Sequence, residues 1–408
     1  MKILIVTQYF WPEDFRINDL ALGLAARGHE VTVFTGKPNY PGGRFFAGYG
    51  FFGRAREEWS GVTVVRVPLT PRGAGRMRLA LNYLSFALIA CLLAPFRVRG
   101  PFDAILVYEP SPVTVGLPAL VLKRLTRAPV VFWVQDLWPE SLSATGAVRA
   151  RWVLGGVARL VRFIYKGCDL ILVQSEAFVE PVRAFGVPDS RIAYFPNSAE
   201  AFYRPVPADG ACAEGAQLPA GFRIMFAGNV GAAQDFETIL GAAERLKSHP
   251  HIRWIILGDG RMLPWVTSEI ARRGLEGTVK LMGRHPPQSM PRWFALADAL
   301  LVTLRRDPIF ALTIPSKAQS YLACARPILA ALDGEGARVL KEAGGGIAVA
   351  SGDAAALARA AVKLYEMPEA ERRAMGERGR RYFEQHFERE RLLGRLEGWM
   401  GDLARPKS

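Results

Sequence analysis

The sequence has 408 residues, half of them hydrophobic, which is too long for one ordinary core and suits two α/β domains of about 200 residues each. A charged fraction of 22% and an aromatic fraction of 11% argue against a disordered chain. The cysteines are far apart and form no CxxC pair, so they indicate neither a disulfide scaffold nor a zinc site and favour a reducing compartment. The net charge of +14 favours an anionic partner: a membrane surface, nucleic acid or a phosphorylated substrate.

The first 200 residues alternate between short apolar runs and helices. The opening run at 3–10 lacks the order of basic, apolar and small segments that a signal peptide has, so we expect no cleaved leader. Residues 18–27 follow as an amphipathic helix that ends before Gly28. Further strands are predicted at 30–36, 61–68, 102–110, 129–136 and 168–175. Continuous apolar strands separated by helices predict a parallel sheet covered on both faces.

Basic residues crowd around an apolar run at Leu79–Phe96, which is 18 residues long. Those before and after the run are Arg66, Arg72, Arg76, Arg78, Arg97 and Arg99. The run is at the lower limit of a transmembrane helix and contains Asn82, Ser85 and Pro95. We therefore favour a helix that lies on an anionic membrane, with a buried core helix and a true span as alternatives. The predicted location is cytoplasmic, peripheral to the inner face of the plasma membrane.

The same alternation restarts after a stretch rich in Ala, Gly and Pro. A strand at 222–229 and a helix at 235–248 are followed by strands at 252–260, 279–283, 299–304, 326–332 and 346–351. The predicted fold is α/β, with two Rossmann-like domains facing each other across a cleft. The domain limits are 1–203 for the first Rossmann-like domain, 204–221 for a linker, 222–385 for the second Rossmann-like domain and 386–408 for a C-terminal helix that could cross back.

Several loops of the second domain are candidates for binding phosphate or nucleotide. Gly228, Asn229 and Gly231 follow a strand and precede a helix, where small residues let backbone N–H groups approach a phosphate. Gly258, Asp259 and Gly260 turn sharply after the next strand, either as part of a nucleotide pocket or as an ordinary turn. Two arginines after later strands, Arg284 and Arg305, could bind a phosphate or be solvated loop cations.

Lys317 is the most informative residue of this half. Pro315 can pre-set the first turn of a helix and Ser316 can cap it, which places Lys317 near the helix N-terminus. A cation there is unfavourable with the helix dipole unless an anion lies between them. A diphosphate would resolve that conflict, whereas a surface lysine is the alternative.

Carboxylates follow three strands of the first domain. The first strand leads to Glu13, Asp14 and Arg16, a later one to Glu109, and another to Asp136, Trp138 and Glu140. We expect these turns to converge on one rim and to bind the acceptor. The alternative for Asp136 is a helix cap that accepts from the Trp138 backbone N–H.

The ordered set of motifs resembles retaining glycosyltransferases of family 4, which have the GT-B fold. It comprises NDLALGLAARGHEVTVFT, DLILVQSEAF, GVPDSRIAYFPNS, FAGNVG, LGDGRM, LMGR and SKAQSYLACARPILA, from about residue 1 to residue 385. More narrowly, DLWPES and TIPSKAQSYLA resemble fucosaminyl- and colanic-acid-type transferases that build O-antigen or capsule repeat units. The resemblance implies a nucleotide-sugar donor, usually UDP-linked, that is held mainly by the second domain, 222–385. It also implies a lipid-linked acceptor bound by the first domain, 1–203, and retention of anomeric configuration.

The chain departs from the family at the donor site. The family's paired glutamates fall on Leu312 and on Ser320, which keeps a predicted donor-binding role, and its Arg and Lys fall near Asn229 and Gln234. Lys317, with Arg284 or Arg305, is expected to substitute for those cations. The sequence contains no DxD triplet, so neither a metal nor an organic cofactor is expected.

The expected chemistry divides between the two domains. Lys317 would stabilise the departing diphosphate, while Asp136 or Glu109 would orient or deprotonate the acceptor hydroxyl. Two other functions stay open at this point. One is a GT-B epimerase acting on UDP-sugars, and the other is a non-catalytic GT-B-like subunit that has lost the donor glutamates.

Overall fold

The computed structural model describes residues 1–73, 75–144, 148, 150–210 and 212–405. The chain forms two compact units, unit 1 with Met1–Pro196 and Glu390–Ser408, and unit 2 with Asn197–Arg389. The predicted linker at 204–221 therefore falls within unit 2, and its residue 211 lies outside the described residues, as do residues 406–408 of the predicted C-terminal helix.

Unit 1 is built around one sheet with helices on its faces. Its strands are β1 (Lys2–Val6), β2 (Glu30–Gly36), β3 (Arg56–Trp59), β4 (Val62–Val67), β5 (Ala104–Glu109), β6 (Val130–Val134), β7 (Leu170–Val173) and β8 (Ile192–Tyr194). Its helices are α1 (Arg16–Ala26), α2 (Arg76–Arg97), α3 (Gly116–Thr126), α4 (Glu140–Ala144), α5 (Arg151–Gly167) and α6 (Val179–Ala184).

The strand order in unit 1 is β3-β4-β2-β1-β5-β6-β7-β8. Ile5 of β1 lies between Val33 of β2 and Leu106 of β5, and all three side chains are fully buried. This explains the continuous apolar runs in the sequence, because a central parallel strand is covered on both faces. The chain reverses direction of travel across the sheet between β1 and β5, and ligands of such sheets bind at the carboxyl ends beside that point.

Two strands of unit 1 differ from the sequence prediction. β3 pairs with β4 antiparallel at the sheet edge, and its sequence REEW has no apolar run. β8 is only three residues long and pairs with β7. Polar residues and short length suit an edge strand, which has one unpaired side and little core to cover.

The apolar run of the first half forms helix α2, whose two faces differ. Its inner face buries Phe86, Ala87, Ala90 and Ala94, and Asn82 is also fully buried. The other face exposes a row of large apolar side chains, Met77, Leu81, Leu84, Leu88, Leu92 and Phe96. Within the described residues, α2 is the one helix long and apolar enough to cross a membrane, and 28% of its most apolar window is buried. It is not a buried core helix.

Unit 2 contains a second parallel sheet. Its strands are β9 (Phe222–Ala227), β10 (Ile252–Leu257), β11 (Val279–Gly283), β12 (Ala299–Thr303), β13 (Ile328–Ala331) and β14 (Gly346–Val349). Its helices are α7 (Phe236–Arg245), α8 (Leu263–Arg272), α9 (Met290–Ala295), α10 (Pro308–Ala311), α11 (Ser316–Ala323), α12 (Gly334–Ala343), α13 (Ala354–Glu366) and α14 (Glu369–His386). The order β11-β10-β9-β12-β13-β14 is that of a Rossmann sheet, with its switch point between β9 and β12.

The last helix, α15 (Arg389–Ala404), packs against unit 1. Leu392, Leu393, Leu396 and Met400 join the buried core that contains β1 and α1. At the surface, Glu397 accepts from Arg27 at 2.7 Å and from the His29 ring at 2.7 Å. The chain thus returns from unit 2 to complete the core of unit 1.

Candidate active site

The glycine loops of unit 2 line the switch point of its sheet. Gly228 and Asn229 directly follow β9, and Arg305 follows the neighbouring strand β12. Gly228 has a φ of +133° and Gly258 a φ of +141°, a region that side chains rarely adopt. A Cβ on Gly258 would lie 1.9 Å from the Gly228 carbonyl oxygen, so two strand ends touch through their backbones here.

Lys317 crosses this switch point. Its Nζ donates to Gln234 Oε1 at 2.6 Å and lies 3.7 Å from the centroid of the Phe226 ring. A Cβ on Gly228 would come within 2.6 Å of Lys317 Cε, so the glycine makes room for the lysine. Burial lowers the pKa of Lys317 to about 7. The partly buried Lys317 amine is therefore held beside the glycine loop.

Helix α11 presents its N-terminus at the same place. Pro315 is the residue before the helix, Ser316 is its first residue, and among the described residues no side chain caps it. The prediction that Ser316 caps the helix is wrong, because Ser316 already has its place in the first turn. Lys317 thus combines with uncapped backbone N–H groups to give a strongly positive local field.

The other predicted donor residues differ in exposure. Arg284 and Arg305 are exposed, and Arg305 has an ion pair of 3.8 Å with Asp307. Asp259 Oδ1 accepts from the Gly260 N–H at 2.6 Å, which is ordinary turn chemistry. Ser320 is buried and its hydroxyl donates to the Ser316 carbonyl at 3.3 Å within the helix. The side-chain oxygens of Asp259 and Ser320 are therefore already hydrogen-bonded to nearby backbone groups.

Sequence reasoning did not assign Phe226 and Gln234 to this site. Phe226 is an apolar strand residue like its neighbours. Gln234 ends a short 3-10 helix, Ala232–Gln234, and entered the sequence analysis only as the position of a missing family cation. The position of Gln234 is fixed from the strand side, because its carbonyl accepts from the Thr303 hydroxyl of β12. Only the folded chain brings these residues to Lys317.

In unit 1, two of the predicted carboxylates meet. Glu109 ends β5, and its Oε2 accepts from the Asp136 backbone N–H at 3.4 Å. Glu109 is completely buried, and burial together with the charge of Asp136 raises its pKa well above the usual range. Its Oε1 has no hydrogen-bond partner among the described residues. Glu109 therefore favours its protonated form more than an exposed glutamate does.

Asp136 is held by side chains rather than by a helix cap. It accepts from the Trp138 indole Nε1 at 3.2 Å and from the Ser141 hydroxyl. Burial also raises the pKa of Asp136. The proposed cap through the Trp138 backbone N–H is not formed; the indole is the donor instead, while Glu140 is exposed.

Glu13 lies apart from this pair. Its carboxylate accepts backbone N–H bonds from Phe10 at 3.2 Å and from Asn39 and Tyr40 at 2.7 Å each. Burial raises the pKa of Glu13 to about 7 despite these bonds. The recorded partners of Glu13 lie in the loops after β1 and β2. Of the three carboxylate turns that were expected to converge, contact is therefore recorded for two, those of Glu109 and Asp136. Asp14 is exposed and Arg16 partly exposed.

Aromatic residues that the sequence reasoning did not single out line the same rim. Tyr9 stacks on Phe15 with ring centroids 5.0 Å apart, and Tyr40 lies 5.7 Å from Tyr9. Tyr83 of α2 lies 6.2 Å from Trp138. Tyr9 and Trp138 are buried, whereas Tyr40 and Tyr83 are partly exposed. Tyr40 and Tyr83 are therefore the rings that could face the apolar side of a sugar.

Comparison with known proteins shows which protein family the two units match. The model of the glycosyl transferase 4-like domain matches residues 15–198, and that of the glycosyl transferases group 1 matches residues 221–367. A putative colanic acid biosynthesis glycosyl transferase of Escherichia coli K12, WcaI, is 28% identical over 340 residues, covering 79% of this chain and 81% of that protein. A probable glycosyltransferase of Pseudomonas aeruginosa, WbjE, is 30% identical over 246 residues, covering 58% of this chain and 60% of that one.

Solved structures share the architecture along nearly the whole chain. HepE of Anabaena in complex with UDP has a TM-score of 0.71 at 14% identity, covering 98% of this chain and all of that one. Sucrose-phosphate synthase from Thermosynechococcus elongatus has a TM-score of 0.74 at 16% identity, covering 99% of each chain. Two Rossmann-like units in this order define the GT-B fold. The chain belongs to the family 4 glycosyltransferases and is a transferase enzyme.

Proposed function

We propose that this glycosyltransferase moves a sugar from a nucleoside diphosphate, UDP in the first instance, to a lipid-linked saccharide in bacterial surface polysaccharide synthesis. The products would be O-antigen, capsule or colanic-acid-type repeat units. The name of the Escherichia coli relative supports the pathway, and the UDP complex of HepE supports the donor class. The observation that carries the proposal is the position of the Lys317 amine, which is partly buried at the switch point of unit 2 and bonded to the neutral Gln234 amide.

The environment of Lys317 suits an anion. Its recorded partners are the neutral Gln234 amide and the Phe226 ring, and neither balances a full positive charge. A diphosphate beside the α11 N-terminus would supply that balance and replace the lost hydration. As the glycosidic bond to the sugar breaks, negative charge grows on the leaving diphosphate, and Lys317 would stabilise it most at that moment. The proposal therefore requires no metal and keeps retention of configuration as the family resemblance implies.

In unit 1, Asp136 is the candidate that handles the acceptor hydroxyl. Glu109 would act through it as a positioning residue, because complete burial keeps its carboxyl from touching a substrate directly. Tyr83, which is partly exposed, would offer its ring to the saccharide.

A membrane-facing surface supports the lipid-linked acceptor. The exposed row on α2 is apolar over its whole length, and the exposed Arg76, Arg78 and Arg99 flank it. Arg66 does not belong to this surface: it is fully buried and pairs with Glu57 at 2.7 Å. Arg72 also turns inward, over the Tyr40 ring at 5.1 Å. The basic surface is thus smaller in this region than the sequence predicted.

Helix α5 enlarges the surface. Its exposed face carries Trp152, with 82% of the residue exposed, and Phe163. The basic residues on that face are Arg151, Arg159, Arg162 and Lys166. A helix with exposed aromatic and basic residues on one side is typical of binding in the plane of an anionic bilayer. The enzyme would therefore work at the inner face of the plasma membrane.

The function is tested with a panel of nucleotide sugars. The proposal expects at least one UDP-sugar to raise the melting temperature and to serve as donor for a lipid-linked acceptor without added metal. Absence of any shift and any transfer across UDP-, GDP-, dTDP- and ADP-linked sugars would contradict it.

Membrane binding is tested separately by flotation on anionic and neutral liposomes. We expect the unmodified protein to float with anionic vesicles, and the variant Leu84→Ser/Leu88→Ser to remain folded and lose most of that binding. Both leucines are exposed, so their replacement leaves the core intact. An unmodified protein that stays at the bottom of the gradient refutes the membrane surface.

A further inference from the structure

Unit 2 contains a cavity of about 600 Å³ at the edge where its strands begin. Asp298 directly precedes β12, and Pro327 directly precedes β13. Pro205 and Val206 form part of the wall. The volume is in the range of pockets that hold small molecules.

This cavity is distinct from the donor site. Gly228, Gly258 and Lys317 lie at or beside the carboxyl ends of the strands, whereas the cavity opens at their amino ends. A five-residue strand such as β12 spans about 16 Å, which separates the two places.

The lining of the cavity is rich in arginine. The five arginines are Arg326, Arg372, Arg373, Arg380 and Arg381, and the three acids are Asp298, Glu369 and Glu377. Asp298 accepts from the Arg223 backbone N–H at 2.8 Å and pairs with Arg372 at 3.8 Å. Glu369 pairs with Arg373 at 2.8 Å, and Arg380 pairs at 2.7 Å with Glu384, which lies outside the lining. Burial lowers the pKa of Arg326, because the loss of hydration disfavours its positive charge more than the neighbouring acids stabilise it. The lining therefore has an excess of positive charge.

Three of these arginines are fixed by carbonyls at the ends of helices. Arg380 donates to the Ala323 carbonyl of α11 at 2.7 Å, Arg372 to the Leu364 carbonyl of α13 at 3.3 Å, and Arg326 to the Ala295 carbonyl of α9. Each guanidinium has five N–H groups, so these bonds leave further N–H groups that can donate to a ligand. The carbonyls hold the guanidinium groups in place before any ligand arrives, which lowers the entropy that binding costs.

We propose that this cavity binds a small anion with at least two phosphate charges, as a site separate from the donor site. Fixed arginine forks match phosphate oxygens with paired, charge-assisted hydrogen bonds. A multiply charged phosphate compound would offset the excess charge of the lining and fit its volume. The inference does not depend on the identity of the sugar donor.

The test is a calorimetric titration of pyrophosphate into the full-length protein carrying Lys317→Ala, which removes the central cation of the predicted donor site. We expect saturable binding in this background. Adding Arg373→Gln and Arg381→Gln, both at exposed positions, should weaken it at least about tenfold, since two charge-assisted contacts are lost. Adding Arg359→Gln instead, an exposed change on α13 outside the cavity lining, should leave the affinity within about twofold.

A second variant, Arg380→Lys, keeps the charge and a donor for the Ala323 carbonyl but removes the guanidinium fork. It should weaken pyrophosphate binding while circular dichroism and the melting temperature remain near those of the parent. Absence of saturable binding in the Lys317→Ala background, or equal affinity in the cavity and Arg359→Gln variants, overturns the proposal.

Discussion

The side chain of Lys317 loses its proton more readily in the free protein than an exposed lysine does. Burial lowers its pKa to about 7, and its recorded polar partner is a neutral amide. Above that pH the free protein holds Lys317 largely uncharged, whereas a bound diphosphate would favour the ammonium. UDP binding at pH 8 should therefore be accompanied by uptake of about one proton.

The measurement is calorimetry of UDP binding in buffers of different ionisation enthalpy. The observed enthalpy should depend on the buffer for the unmodified protein and lose most of that dependence in Lys317→Met. An enthalpy that does not vary with the buffer would show that Lys317 does not change charge on binding.

Glu109 and Asp136 should respond differently to the loss of their charge. The raised pKa of Glu109 favours its neutral form, so Glu109→Gln should keep most of the transfer activity. Asp136→Asn should lower kcat by about 100-fold or more, since Asp136 is the candidate base. Steady-state rates of the two purified variants check this. Equal losses in both variants would mean that Glu109 works as a charged group.

The pH dependence of folding stability gives a second test of the raised pKa of Glu109. The folded pKa of Glu109 lies well above the usual value of a glutamate. The unfolded chain therefore releases this proton first, and the folded state loses stability as the pH rises through the interval between the two pKa values. Glu109→Gln removes the penalty. The variant should therefore gain more melting temperature relative to the parent at pH 8 than at pH 5, and a gain that shrinks with pH would contradict the assignment.

At the residue scale, the sequence could place Lys317 but not its surroundings. The Pro-Ser-Lys order located a cation in the first turn of a helix, which is local information. Gln234 and Phe226 reach Lys317 from 83 and 91 residues away, and that proximity comes only from the sheet. The prediction that Arg66 belongs to the basic surface was wrong for the same reason. Its ion-pair partner, Glu57, could not be identified from the sequence pattern.

At the scale of elements, α2 is fixed to unit 1 by polar contacts beneath its apolar face. Asn82 accepts from Gln8 Nε2 at 2.7 Å and donates to the Thr70 carbonyl at 2.7 Å. Asn82→Ala would leave both partners buried without it and should lower the free energy of unfolding by about 1–3 kcal/mol. Urea unfolding measures the change, with the exposed Leu88→Ala as a matched helix control that should cost much less. Similar losses in both variants would argue against this anchoring.

Strands buried on both faces were predictable because continuous apolar runs leave few alternatives. The parallel strands of both sheets follow those runs closely, with Glu30–Gly36 and Val279–Gly283 matching at both ends. β3 was not predictable in this way, since its residues form an edge with little apolar signal. The exposed face of α5 was missed because its aromatic and basic residues are separated along the sequence and meet only on the helix.

At the scale of the whole molecule, the last helix belongs to the first unit. Leu396 of α15 is fully buried in the core that contains β1 and α1. Leu396→Ala should therefore destabilise unit 1 by about 2–5 kcal/mol, while the partly buried Leu403→Ala costs less. Hydrogen exchange should show lost protection in β1 and β2, with β9 and β10 unaffected. Loss of protection in unit 2 instead would contradict this assignment of α15.

The central claim is that Lys317 holds the anionic leaving group, and the rate of sugar transfer tests it most directly. With the donor that the panel identifies, kcat/KM is measured for Lys317→Ala and for Lys280→Ala, an exposed lysine of β11. The account predicts a loss of at least about 100-fold for Lys317→Ala in a folded protein, and less than about twofold for the control. A folded Lys317→Ala enzyme that transfers sugar as fast as the unmodified protein would contradict it.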